Sequence, residues 1–536
     1  MFGKRTKLLV SVFLIACFLM LLSLQTVGAW DFSNNDDNNL VIAYTEWTRY
    51  QPEASSWFIP FSLLTTSNSN AKPILKSVKV NGKDIKNSIK DFPEQLPVNK
   101  VEGLTKEELK KWNTLREMAR KGELTESEGK EYYKLQKLIE NGVKDFKPVH
   151  LFLKTEKMPF QIIEGETYPV TLEVESELGT QTFTTEVYIM ALPSDSSWSP
   201  AELHCHSSDF SDGNSKLEEL KEIYKNKGYK VLYMTDHVDG IQRKGWSEYQ
   251  KAINRINDSE YNIKLYPGAE MTVVKWNPYT GFFEYSDLLA YGIKDLYRLD
   301  NKTYDHQTGI DNILSNNPGM SSPSIAHPYS VFVPWTDWSV KRYRGMELMA
   351  ALQTNFYDSA SPMMRWCHEL DRLLDDTFSY GYFASARAGG DFHGSPGESP
   401  PDYVTYLCTP FWDYKSSVDS AIYNGRTVAS RYGGLGYFKI TYGSTTKLVG
   451  DIYKGVPTNA SLTLNITFKP VKSGTYTIKV YRDNKSEEIV SYSGSYTTGQ
   501  TYNLSKTFTF PGGKHYYYLY IYGSDYIYSS PIFISN

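Results

Sequence analysis

Residues 198–435 alternate short apolar runs with amphipathic stretches, and this alternation constrains the fold more than any other feature of the chain. The run "KVLYMTDH" is typical of a buried strand, and "NSKLEELKEIYKNKG" before it is typical of a helix. Strands and helices in succession are typical of a parallel β/α barrel, in which the reactive groups lie at the carboxyl ends of the strands. The sequence therefore predicts an α/β fold with a barrel in this segment.

Five of the nine histidines lie in this segment beside acidic residues. His204 and His206 are two residues apart on a predicted strand, so both side chains project from one face while Cys205 points to the other. Asp391 and His393 repeat this spacing. Imidazole and carboxylate ligands without thiolates favour zinc, manganese or iron. The candidate ligands exceed what one ion can use, so we expect a cluster of two or three divalent ions.

The order of the short motifs H-x-H, S-D-G, T-D-H, G-x-E, A-H-P and G-x-D-x-H resembles that of the polymerase and histidinol phosphatase superfamily, the PHP domain, over about residues 200–430. The resemblance implies a distorted seven-stranded (β/α) barrel that hydrolyses its substrate, most often a phosphoester, with a hydroxide bridging two or three metal ions. The final "GRTVAS" resembles exported members, including a branch similar to carbamate hydrolases. Carried over by motif, the implied metal ligands are His204, His206, Asp212, His237, Glu270, Asp287, His327, Asp391 and His393.

Two positions depart from the family pattern. The second histidine of the first motif lies six residues before the aspartate of "SDG", where the family commonly has five, so either Asp209 or Asp212 is the ligand. Relatives often read "GHLLA" where this chain reads "SDLLA", which places Asp287 at a position that usually holds a histidine. An aspartate still coordinates hard or borderline ions.

Further residues are candidates for roles beside the metals. Asp236 orients a ligand, takes a proton, or only forms a hydrogen bond within its turn. A phosphoester needs cations besides the metals, and Arg387 and Arg243 are the candidates. We expect Glu347 to be structural, and the two histidines without acidic partners to be ordinary packing or surface residues: His306 and His368.

Two other functions stay open at this point. The same metals could cleave a carbamate, ester or amide, because bridging hydroxide also attacks carbonyl carbon. The chain could also be a cell-surface binding protein whose barrel keeps metal only for stability. A small-molecule or surface phosphoester is the expected substrate, and the net charge of −4 gives no support for a nucleic-acid partner.

Alternating apolar runs predict β-rich domains on both sides of the barrel. Residues 40–195 are expected to form a sandwich-like domain with a helical hairpin inserted at 100–142, where capping boxes begin at Thr105 and Thr125. Residues 437–536 are expected to form a β-sandwich. Many of the 42 tyrosines fall in it, and they either fill strands or contact glycan.

Residues 1–29 read as a signal peptide or a membrane anchor, with an apolar run over residues 8–24. We therefore expect a secreted or cell-surface protein that meets the membrane only through this segment. Three cysteines follow the segment, so at most one disulfide is expected. Six sequons are compatible with a glycoprotein: Asn257, Asn301, Asn459, Asn465, Asn484 and Asn503.

Overall fold

The computed structural model describes residues 40–536 with short internal gaps, and the predicted signal or anchor at 1–29 lies outside the described residues. Within the described part, no helix is both long and apolar enough to cross a bilayer. The gaps are residues 45–46, 50–55, 67–71, 122–124, 144–146, 148, 155–156, 162–166, 177–178, 260, 278–280, 331–332, 351–359, 395–401 and 486.

Two sheets form the N-terminal part of the chain, and their apolar side chains share one core that contains Leu63, Val78 and Leu172. One sheet is built from Val41–Tyr44, Ser56–Thr66, Asn99–Val101 and Val149–Lys154. The other is built from Trp47–Arg49, Ile74–Val80, Lys83–Asp84, Thr167–Ser176 and Gly179–Met190. Alternation of buried and exposed residues in Ile74–Val80 is what a half-buried strand requires.

A helical hairpin, Lys106–Lys121 and Glu126–Gly142, is inserted between these strands. Thr125 accepts a hydrogen bond from the backbone N–H of Glu128, and the Glu128 carboxylate accepts one from Thr125 in return. The indole N–H of Trp112 donates to Gln136 across the two helices at 2.7 Å.

The metal-ligand candidates come from a mixed α/β region with strands in two sheets. In the first sheet, Ser199–Glu202, Val231–Met234 and Lys264–Pro267 are parallel. In the second, the hairpin of Ala269–Asn277 and Phe282–Tyr291 precedes three parallel strands, which are Ser322–Ile325, Gly345–Ala350 and Ser385–Gly389. The helices are Leu217–Asn226, Val238–Lys244, Trp246–Asp258, His306–Asn316, Ala360–Arg372, Leu374–Tyr380 and Lys415–Tyr423.

The two sheets do not form one closed (β/α)₇ barrel within the described residues. They approach each other through single parallel bridges, Cys205 with Phe392 and His237 with Glu270. The antiparallel hairpin 269–291 also takes the place of a helical crossover. The strand ladder is interrupted where the chain turns to deliver the ligand candidates, and Asp391 there has a φ of +48°, which non-glycine residues rarely adopt.

The C-terminal part consists of two sheets that share one buried cluster with the metal-site region. One sheet contains Leu435–Tyr442, Thr445–Leu448, Ser461–Lys469 and Tyr502–Thr509. The other continues the first sheet of the metal-site region. Val404–Leu407 pairs with Ser199–Glu202 and with Thr427–Ser430, and Thr427–Ser430 pairs with Ile527–Ser529. Its remaining strands are Ile452–Tyr453, Gly474–Arg482, Glu487–Tyr496, Lys514–Gly523 and Ile532–Ser535, so a single sheet crosses the expected boundary near residue 437.

Tyrosines of the C-terminal sheets fill the core. Tyr476, Tyr516 and Tyr518 are buried, and the Tyr516 hydroxyl donates to Asp371 at 2.9 Å. The three described cysteines, Cys205, Cys367 and Cys408, are free, so the single disulfide that the sequence left open does not form among them.

Candidate metal centre

All nine predicted ligands converge in three overlapping groups. Within each group, the ligand atoms lie within 4.8 Å of one another. The central group is fully buried, the outer group reaches the surface, and the inner group lies at the base of the 269–291 hairpin. The central group consists of His204, His206, Glu270 and Asp391. The outer group consists of His206, Asp212, His237 and His393. The inner group consists of Glu270, Asp287 and His327.

Glu270 connects the groups, because its two carboxylate oxygens face four imidazoles. Oε1 lies 3.3 Å from Nε2 of His204 and 3.3 Å from Nε2 of His327. Oε2 lies 3.2 Å from Nε2 of His206 and 3.3 Å from Nδ1 of His237. Burial opposes ionisation of Glu270, but the histidines outweigh it and hold the pKa of this carboxyl well below its usual range.

The H-x-H pattern works as the strand period predicts. His204 and His206 direct their Nε2 atoms to the same oxygen, Oδ1 of Asp391, each at 3.2 Å. Cys205 points away into the apolar core and contacts the carbonyl of Phe392. Asp391 is therefore the second shared carboxylate, and burial notwithstanding, His204 and His393 lower its pKa.

The outer group decides between the two candidate aspartates. Asp212 lies 3.4 Å from Nε2 of His393 and 3.6 Å from Nε2 of His237, and its side chain is 59% exposed. Asp209 instead accepts a hydrogen bond from the backbone N–H of Leu217 at 2.9 Å, at the start of helix Leu217–Asn226. The structure thus brings Asp212, and not Asp209, into the cluster.

Asp287, the departure from the family pattern, lies in the inner group with its Oδ2 3.8 Å from Nε2 of His327. Its other oxygen accepts a hydrogen bond from the Thr272 hydroxyl at 2.7 Å, across the hairpin. Burial, together with the nearby charge of Glu270, raises the pKa of Asp287 to about 7. A cation near this carboxylate would favour its ionised form.

Unpaired ring nitrogens indicate that the three ligand groups suit metal ions. Four ring nitrogens are buried and have no hydrogen-bond partner among the described residues: Nε2 of His204, both nitrogens of His206, and Nδ1 of His327. Buried polar atoms without partners are rare because each is costly. Divalent cations beside the carboxylates of Glu270 and Asp391 would satisfy Nε2 of His204 and of His206, and a cation in the outer group would satisfy Nδ1 of His206, which faces Asp212.

Two buried glutamates support the ligands from behind, and the sequence analysis gave neither a role at the metals. Glu347 accepts from Nδ1 of His204 at 3.1 Å and from the backbone N–H of His327 at 2.7 Å. Glu202 accepts from the backbone N–H groups of His204 and Gly390. Burial raises the pKa of Glu202 to about 7. The spacing E-x-H-x-H places Glu202 on the face of the two histidines and is a signal that could have found it.

Asp236 positions the loop after His206. Its carboxylate accepts from the backbone N–H of Ser207 at 2.6 Å and from the Ser207 hydroxyl at 2.9 Å. Burial raises the pKa of Asp236 to about 6. Asp236 belongs to none of the three ligand groups, so the orienting role fits the structure.

Arg387 is not available to a substrate, which corrects the prediction that it contacts phosphate. It is fully buried, and its Nη2 donates to the Ser322 hydroxyl at 2.8 Å and to the carbonyl of Ile422 at 3.1 Å. Arg243 is exposed on helix Val238–Lys244, which follows His237.

His306 and His368 lie outside the cluster, as expected. The ring of His306 is buried edge-on against Trp335 at 4.6 Å, and burial lowers its pKa to about 4. His368 is exposed on helix Ala360–Arg372.

Comparison with known proteins gives one family match and only remote structural likenesses. No curated protein matches the chain. A β-glucosidase from Listeria innocua is similar at 8% identity and a TM-score of 0.13, with 37% of each chain covered. A β-glucuronidase from Parabacteroides merdae is similar at 9% identity and a TM-score of 0.17, covering 93% of this chain and 64% of that one. At such TM-scores neither likeness carries an argument.

The family match falls on the region that supplies the metal-ligand candidates. Residues 202–325 match the model of the PHP domain, and this stretch contains six of the nine ligands: His204, His206, Asp212, His237, Glu270 and Asp287. The resemblance predicted from the order of the motifs is confirmed over residues 202–325, which match the PHP domain model.

Proposed function

We propose that the protein is a metal-dependent phosphoesterase. The observation that carries this proposal is Glu270, a buried carboxylate shared by four imidazoles and belonging to two ligand groups at once. A carboxylate with this many imidazole neighbours suits a bridge between neighbouring divalent ions, and zinc, manganese and iron accept such mixed ligands.

Bound divalent ions would act as Lewis acids on the substrate and lower the pKa of a water molecule. The protein residues supply the rest. Glu270 and Asp391 hold the centre from the buried side, and Glu347 fixes the ring of His204 from behind. Asp212, His237 and His393 form the only part of the cluster that reaches the surface among the described residues, so the substrate approaches from the outer group.

The proposal includes a distorted (β/α)₇ barrel as the scaffold. Eight consecutive strands, from Ser199–Glu202 to Ser385–Gly389, lie in the two sheets, and the two single bridges join the sheets into an incomplete ring. The His206 N–H donates to the Phe392 carbonyl at 3.0 Å, which links the first segment to the last. Arg243 remains the candidate cation for the substrate phosphate.

The test is hydrolysis by purified protein of p-nitrophenyl phosphate and of p-nitrophenyl acetate, each with and without chelator, together with elemental analysis. We expect chelator-sensitive release from the phosphate and two or three ions per chain. Chelator-sensitive release from the acetate alone would favour an ester or carbamate hydrolase. Bound metal without turnover of either substrate would favour a binding protein, and release unaffected by the chelator contradicts metal-dependent hydrolysis.

We propose that the protein works outside the cytoplasm, held or directed there by residues 1–29, whose basic start and apolar run support export. Fractionation of cells that express the full chain tests this location. Glycan contact by the C-terminal tyrosines remains a weaker proposal, because many of them are committed to the core.

A further inference from the structure

A second pocket, distinct from the metal centre, lies at the opposite end of the parallel strands. Its lining comes from the segments that lead into the strands, and its volume of about 450 Å³ is within the range of small-molecule sites. The metal ligands follow the other ends of two of these strands, Ser322–Ile325 and Ser385–Gly389. Strands of this length separate the two sites by roughly 15 Å. We call it the arginine pocket, lined by Leu314, Pro318, Gly319, Arg342, Arg344, Tyr380, Tyr382 and Tyr423.

Arg344 gives the pocket an uncompensated positive charge. Its guanidinium lies 3.6 Å from the centre of the Tyr423 ring and donates to the carbonyls of Gly381 and Tyr423 and to the Tyr423 hydroxyl. Its Nε is buried without a hydrogen-bond partner, and no carboxylate among the described residues forms an ion pair with it. The guanidinium is well held but lacks a carboxylate partner, and an anion beside it in the pocket would supply the counterion.

The charged residues next to Arg344 do not neutralise its positive charge. Arg342 is paired with Asp311 at 3.0 Å on the rim. Burial lowers the pKa of Arg344, and the nearby Arg342 lowers it further, as expected for a cation without a carboxylate partner.

Tyr380 adds an exposed aromatic ring to the pocket beside Arg344, and the ring of the buried Tyr382 stacks on it. Their rings are 6.0 Å apart and inclined by only 10°. Tyr380 is 72% exposed, although a ring of this size is usually at least half-covered in a folded protein. An aromatic face with a polar tip suits the apolar face of a sugar ring.

From the charge and the aromatic surface together, we propose that the arginine pocket binds a carboxylated sugar. The carboxylate pairs with Arg344, and the sugar ring packs on the exposed ring of Tyr380. The site is separate from the metal centre, so this binding does not depend on hydrolysis.

The test is titration calorimetry of the full chain with three probes: glucuronate, glucose as the neutral ring, and inorganic phosphate as an anion without a ring. We expect glucuronate to bind roughly tenfold more tightly than either other probe. Tyr380→Ser removes an exposed ring without opening the core and is expected to weaken glucuronate binding by about tenfold. Tyr414→Ser, at another exposed tyrosine outside the pocket, is the matched control and is expected to change nothing.

Equal affinities for glucuronate and glucose would overturn the role of Arg344. Equal affinities for glucuronate and phosphate would overturn the role of the Tyr380 ring. Glucuronate binding that Tyr380→Ser leaves intact places the ligand elsewhere, such as on the metals, and also overturns the proposal. Metal content should be the same in all variants, so the outcome is independent of the phosphoesterase proposal.

Discussion

At the scale of single residues, the candidate metal centre depends on buried carboxylates that lie behind its predicted ligands. Glu347 accepts from Nδ1 of His204, which leaves Nε2 of that ring facing Glu270 and Asp391. The other oxygen of Glu347 holds the backbone N–H of His327. One carboxylate therefore orients ligands of two groups, and partners of this kind raise the basicity of a ligating histidine.

Glu347→Gln should lower metal affinity by roughly 10- to 100-fold, because the amide keeps the shape of the side chain but removes its charge. Ion content after dialysis against buffered free metal measures the effect, and thermal unfolding checks that the variant folds. Glu222→Gln on helix Leu217–Asn226 is the control and should retain wild-type ion content. Unchanged affinity in Glu347→Gln would show that Glu347 only packs.

Substitutions of the two aspartates in "DFSDG", Asp209 and Asp212, should have different effects on metal content and on stability. Asp212→Ala should release about one ion per chain, because Asp212 belongs only to the outer group, and should leave the stability of the chelated, metal-free protein nearly unchanged since the side chain is exposed. Asp209→Ala should keep its ions but lose about 1 kcal/mol of stability with the hydrogen bond to the helix start. The reverse pattern in elemental analysis and unfolding contradicts the assignment.

At the scale of elements, strand Ser385–Gly389 must pass close to the ligands. A β-carbon at Gly389 would lie 2.7 Å from Cβ of His204 and would overlap the carboxylate of Glu347. Glycine is therefore required there by close approach rather than by its backbone freedom.

Gly389→Ala should displace Glu347, reduce metal content and destabilise the chain by about 1–3 kcal/mol through overpacking. Gly129→Ala is the matched control, because the added methyl group meets nothing within 4 Å and lies in helix Glu126–Gly142. That control should be neutral or more stable by up to about 1 kcal/mol. Equal metal content and stability in the two variants would mean that the strand can move aside.

The spacing of residues in the sequence predicted the ligand candidates well, but it predicted poorly how the strands are connected and paired. H-x-H places both side chains on one face of an extended chain, so His204 and His206 could be predicted. Asp391 also reaches the cluster, but beyond the end of its strand and with a φ of +48°, so strand period does not explain its position. The sequence did not reveal the position of Arg387, because closeness to Asp391 in sequence does not fix where a long side chain ends: its guanidinium reaches Ser322, at the start of a neighbouring strand, and Ile422. The hairpin 269–291 also escaped prediction, because buried parallel and antiparallel strands have similar apolar runs.

At the scale of the whole molecule, metal ions would join segments that are distant in sequence. The central group alone brings together residues from three separate segments: His204 and His206, Glu270, and Asp391. A ligand that binds only the folded state stabilises it in proportion to its affinity and concentration, so the metal centre should contribute to the stability of the whole PHP region. One sheet of this region continues into the C-terminal part, so the stabilisation by metal should extend to the C-terminal strands as well.

The pH dependence of that contribution has a definite sign. In the metal-free fold, burial lowers the pKa of His206 and His327, but the surrounding carboxylates outweigh it and raise these values to about 10 and about 9. The resulting stability is present below the unfolded pKa of about 6.5 and is lost as the pH rises through the folded values. Metal binding has the opposite dependence, because it requires neutral imidazoles.

Chelation should therefore lower the Tm more at about pH 9 than at about pH 6, since at high pH the chain loses both the metal and its imidazolium–carboxylate pairs. Scanning calorimetry of metal-loaded and chelated protein at both pH values measures the difference. His206→Asn should weaken this increase, because it removes one titrating ring that the central and outer groups share. A Tm difference that stays constant or shrinks with rising pH would mean that these imidazoles do not exchange protons for metal.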